Sequence, residues 1–113
     1  MRAMTPPDLV AARIVLMTAP DLAVGKRLAR ALVEKKLAAC VNLVPAVTSI
    51  YTWQGQIEEA SEVVLVLKTT ADRIAALELA VAELHPYDVP EVVVLDAVHV
   101  EAKYRAWLID ATR

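Results

Sequence analysis

The chain has 113 residues, 58% of them hydrophobic, and its 12 basic and 14 acidic side chains leave a net charge of −2. That length allows one domain and one core. The charges are mixed along the chain with no basic stripe, so no nucleic-acid partner is expected. A mean hydropathy of +0.46 exceeds what so small a core absorbs, which leaves a membrane, a ligand cleft or a subunit interface to take the rest.

The uncharged run from Leu37 to Ile57 is long enough to span a bilayer, but it carries Asn42, Pro45, Gln54 and Gly55, and its later half alternates in polarity. That is a strand pattern, so no membrane insertion is expected. The apolar run Ile14 to Ala19 ends at Pro20-Asp21 and is too short for a signal peptide. Cys40 is the lone cysteine, so no intrachain disulfide forms and a reducing, cytoplasmic location is expected.

Residues 1–11 hold Pro6-Pro7 and no periodicity and read as a flexible arm before a single domain at 12–113. Arg13 to Ala19 reads as a strand. Pro20-Asp21 opens a helix to about Lys36, with Val24, Leu28, Ala31 and Leu32 on its buried face. Cys40 to Trp53 reads as a long strand that Pro45 interrupts, which places it at a sheet edge or at a bulge. Val47, Ser49, Tyr51 and Trp53 share one face of its later half. Gln54-Gly55-Gln56 reverses the chain, and Ile57 to Thr70 returns as the second arm of a hairpin.

Asp72 reads as the cap of a helix running to about His85, with Ile74, Leu77, Val81 and Leu84 as its buried stripe. Pro86 and Pro90 enclose a rigid turn. Glu91 to Val98 reads as a strand covered on both faces, and a last helix from Glu101 sets Tyr104, Trp107, Leu108 and Ala111 on one side. The order predicts an α+β, ferredoxin-like split-βαβ sandwich with a long central hairpin. An overlong hairpin and surplus apolar residues point to an oligomer.

Chemistry-bearing motifs are few. There is no CxxC, HExxH or HxH pattern for a metal, no GxSxG elbow at Ser49 or Ser61, and only Gly25 and Gly55 to build a phosphate loop, so no enzyme is expected. Cys40 reads as a small buried hydrophobe, His99 as a surface imidazole and Glu58-Glu59-Glu62 as a solvated strand entrance. His85, between a helix end and a proline turn, is the histidine placed for a functional role. The aromatics Tyr51, Trp53, Tyr87, Tyr104 and Trp107 suit an intersubunit core first and a ligand cleft second.

Ala38-Ala39-Cys40-Val41-Asn42, Pro45, Ser49 to Glu58, and Leu67-Lys68-Thr69-Thr70 resemble the central motif of the CutA divalent-cation tolerance family. His85-Pro86-Tyr87-Asp88-Val89-Pro90-Glu91 resembles its second signature, and Tyr104 and Trp107 its closing Tyr-x-x-Trp. The resemblance implies a homotrimer packed through the hairpin and the C-terminal segment, similar in architecture to PII signalling proteins. It implies a role in divalent metal ion tolerance, with copper or another divalent cation as the ion bound. Members proposed to ligate copper carry a cysteine where Met17 stands and paired histidines where Leu84-His85 stands, so His85 and Met17 are the metal candidates. The alternative by analogy is a sensor of a small ligand or anion at intersubunit clefts lined by Trp53, Lys68, Tyr87 and Glu91. A non-catalytic trimeric scaffold is the third expectation.

Overall fold

The computed structural model describes residues 5–113. Residues 1–4 of the expected arm lie outside the described residues. Next to them Pro6–Leu9 form a single helical turn (α1), because Thr5 and Asp8 complete a capping box and Pro6 stands where no amide donor is needed.

Strand β1 (Ala12–Ala19) alternates from Ile14 onward: Val15, Met17 and Ala19 are buried toward the helices, while Ile14, Leu16 and Thr18 face the other way. Helix α2 (Leu22–Glu34) starts where the Asp21 carboxylate accepts the Val24 amide at 2.8 Å. Its buried face is Gly25, Leu28, Ala29 and Leu32. Gly25 lets the helix approach closely: a Cβ there would stand 3.1 Å from the Leu43 side chain of the sheet beneath, which would have to give way.

Strand β2 (Cys40–Trp53) is both an edge and a bulged strand. Its register against β3 (Gln56–Thr70) shifts between Val44 and Val47, with Ala46 at φ 61°. The proline thus marks the position where the ladder slips. Gln54 and Gly55, both at positive φ, close a two-residue turn of the primed kind that matches strand twist.

A 3-10 turn at Ala71–Arg73 leads into α3 (Ile74–Leu84). Asp72 does not cap this helix: its carboxylate accepts from Thr70 at 2.6 Å and from Arg113, a partner 41 residues away. In the stripe expected for α3, Leu77 and Val81 are buried with Ala80, and Leu84 is exposed. Strand β4 is shorter than expected, Val93–Asp96, and all four residues are exposed in the single chain. Of the run Val92 to Leu95 that reads as covered on both faces, only Val92 packs against the core here. Helix α4 (Ala102–Ala111) is capped by Glu101 and buries Leu108, leaving Tyr104 and Trp107 exposed.

The sheet order is β2-β3-β1-β4, every neighbour antiparallel. Val15, Met17, Leu65 and Leu67 form a core with Leu28, Leu32, Leu77 and Val81 of α2 and α3, which is the ferredoxin-like sandwich. One feature sets the shape. Strand β1 follows β3 only from Thr70 down to Val63, whereas β2 follows it on to Gln56. Beyond Val63 the hairpin is a two-stranded ribbon.

Candidate functional site

The site grows from the end of α3. Pro86 cannot continue a helix and disfavours helical geometry in the residue before it, so His85 takes extended φ −79°, ψ 137°. Its amide still donates to the Val81 carbonyl at 2.8 Å. The imidazole is 7% exposed and both nitrogens are engaged: Nε2 lies 2.7 Å from the Thr18 carbonyl oxygen, and Nδ1 accepts the Tyr87 amide at 3.1 Å. This fits the tautomer with the proton on Nε2. His85 therefore ties the end of β1 to the Pro86–Pro90 turn, and its ring packs against that of Tyr87 at 4.7 Å with a tilt of 53°.

Held in this way, Tyr87 reaches across to β3, where its hydroxyl donates to Glu62 Oε2 at 2.8 Å. Burial, then the Glu62 carboxylate, pushes the phenol well above its usual range, so it stays a donor at neutral pH. Glu62 is only 8% exposed. Around this pair opens a cavity of about 530 Å³ between the root of the ribbon and the turn. Its walls include the aromatic rings of Tyr51, Trp53 and Tyr87, the carboxylates of Glu62, Asp88 and Glu91, and the polar Thr18 and Ser49. Among the described residues no lysine, arginine or histidine lines it.

Three of the residues expected in a cleft, Trp53, Tyr87 and Glu91, come together here. Lys68 does not. It sits at the opposite end of the sheet, paired with Cys40 in register, and its ammonium is bound to Asn42 Oδ1. Within one chain the cleft therefore has no cationic side chain among the described residues. Tyr51, one of the aromatics suited to a cleft, joins Trp53, Tyr87 and Glu91, whereas nothing in the sequence marks Glu62 or Asp88 as lining. Glu62 belongs with exposed Glu58 and Glu59 in the sequence, yet it enters the buried part of β3. The available signal was its position directly before Val63-Val64-Leu65 and on the strand face of Val64.

A resident copper ion does not fit His85 and Met17. The imidazole has no uncommitted nitrogen, and Met17 is 0% exposed within the core. Among the described residues no group of three or more His, Cys, Asp or Glu side chains is placed to hold a metal. Cys40 is half-buried beside Tyr104, whose phenol is raised by burial and by that thiol.

A split-βαβ domain whose hairpin outruns its sheet, with a cleft at the hairpin root, defines a ferredoxin-like α+β protein with a small-molecule-sized site. Residues 13–111 match the family of the CutA1 divalent ion tolerance protein, and the chain belongs to that family. It is 46% identical over 99 residues to the divalent-cation tolerance protein CutA of Thermus thermophilus, covering 88% of this chain and 96% of that one. It is 46% identical over 106 residues to protein CutA of Mus musculus, covering 94% of this chain and 59% of that longer protein. The crystal structure of CutA1 from Oryza sativa superposes with a TM-score of 0.89 at 40% identity, over 94% of this chain and 97% of that one. No helix among the described residues is long and apolar enough to cross a membrane.

Proposed function

We propose that this chain serves divalent-cation tolerance as a non-catalytic cytoplasmic homotrimer, with copper among the ions it guards against and a small ligand, not a resident metal, in its cleft. The observation that carries this reading is the ribbon beyond Val63, which pairs only with itself. A lone two-stranded hairpin is marginal in water, and this one exposes Ile50 at 67% and Ile57 at 80%. The edge of β2 offers unpaired backbone groups along the same ribbon. A second copy laid on that edge completes the sheet, and three copies close a ring with no free edge left over. Val93, Leu95, Tyr104 and Trp107, bare in one chain, supply further apolar surface for the contact. Ribbon residues Ser49, Tyr51 and Trp53 line the cleft, so a copy laid on the ribbon comes to lie beside it.

Light scattering on the purified chain tests the assembly: the expected mass is three times 12.3 kDa, and the mass of one chain at micromolar concentration overturns it. For the role, cells lacking the gene regain growth in toxic copper when the wild-type gene is restored. Equal growth with and without it removes the tolerance function.

A further inference from the structure

Resting on the reading of the cleft as a ligand site, we infer that it takes a small organic cation carrying N–H donors, a protonated amine, held between the Glu62 carboxylate and the rings of Tyr51 and Trp53. Charge comes first. Glu62 is buried to 8% exposure, and the Tyr87 hydroxyl is its only hydrogen-bond partner among the described residues. A carboxylate kept from water without a cation is costly. Among the described residues of one chain the cavity wall adds Asp88 and Glu91 and no basic group, so this wall repels anions and attracts cations.

The kind of cation follows from spacing and surface. No cluster of three or more His, Cys, Asp or Glu side chains that could enclose a metal ion forms among the described residues. A volume of about 530 Å³ is far larger than an ion needs and falls within the range of small-molecule sites. Tyr51, Trp53 and Tyr87 offer ring faces, which attract an ammonium group and pack against the carbon chain behind it. The free Glu62 oxygen then accepts a charge-assisted N–H bond. Ser49 and Thr18 are within the same wall to accept a second.

The test is calorimetric titration of the full chain with 1,4-diaminobutane, with tetramethylammonium and acetate as comparators. The expected dissociation constant lies between about 10 μM and 1 mM. Tetramethylammonium, which has no N–H, binds more weakly, and acetate does not bind. Glu62→Gln, which keeps an acceptor for Tyr87, weakens diaminobutane at least roughly tenfold; Glu59→Gln, on the exposed ribbon, leaves it unchanged. Trp53→Leu weakens it too, and covers the case in which Glu62→Gln misfolds. Absence of diaminobutane binding at about 10 mM, or affinity indifferent to both cleft substitutions, overturns the inference. Light scattering of the same samples keeps the two readings apart. A single-chain mass with amine binding intact defeats the assembly alone, and a trimer that binds no amine defeats this inference alone.

Discussion

Arg113 grips Asp72 with two hydrogen bonds, Nη1 to Oδ2 at 2.6 Å and Nη2 to Oδ1 at 2.9 Å, and so fastens the chain after α4 to the turn before α3. The hydrogen bond from Arg113 is the largest cause that pulls the Asp72 carboxyl from 3.8 down to about 2. A depressed carboxyl contributes stability that is present above its unfolded value and is lost as pH falls through the folded one.

Asp72→Asn therefore lowers unfolding free energy by on the order of 1 kcal/mol at pH 7, after discounting for the solvent exposure of both partners. In denaturant unfolding the gap between wild type and variant persists at pH 5 and narrows between pH 4 and pH 2. A gap that is constant down to pH 2 contradicts the ion pair as its source.

At the hairpin tip, Gln54 has φ 50° and Gly55 φ 77°. A Cβ on Gly55 would meet nothing within 4 Å, so Gly55→Ala suffers only the backbone penalty, about 1 kcal/mol. Gln54→Asn moves the other way and stabilises by roughly 0.5 kcal/mol, because asparagine tolerates the left-handed region better. Melting curves of the two variants shift in opposite directions.

His85 is a structural clamp between β1 and the proline turn. His85→Ala leaves the Thr18 carbonyl and the Tyr87 amide without their partner and costs about 1–3 kcal/mol. Copper affinity, measured by calorimetric titration, is the same in the variant as in the wild type within about twofold, a gap of roughly 0.4 kcal/mol. A large loss of affinity without loss of stability contradicts the clamp.

Tyr87→Phe removes the one hydrogen-bond partner that Glu62 has among the described residues. The buried carboxylate then lacks a donor, and stability falls by about 1–3 kcal/mol. Because the phenol is held above the usual tyrosine range, ultraviolet titration of the wild type shows a tyrosine that ionises later than a free one, and the variant loses that late step.

The local grammar of this fold is legible in its residues. Asp21 caps α2, Pro45 predicts the bulge between Val44 and Val47, and Gln54-Gly55 predicts the turn. Each depends on neighbours a few residues apart. Contacts between distant segments are what pattern misses. Asp72 reads as a cap until Arg113 claims it, and Lys68, expected at a cleft between subunits, is bound within its own chain by Asn42. Glu62 reads as part of a solvated cluster, since nothing near it in sequence announces Tyr87, 25 residues on. The strand Val93–Asp96 is apolar enough for burial on both faces and is exposed in one chain. In the proposed assembly a partner copy covers this surface, and periodicity does not separate such a surface from a core.

Hydrogen exchange along β2 tests the central claim most directly. On the trimer account, the amides from Val47 to Trp53 that β3 leaves unbonded are paired to a second copy, and they exchange slowly, in step with global unfolding. Exchange of those amides at the rate of a free strand edge, in a sample at micromolar concentration, contradicts the account.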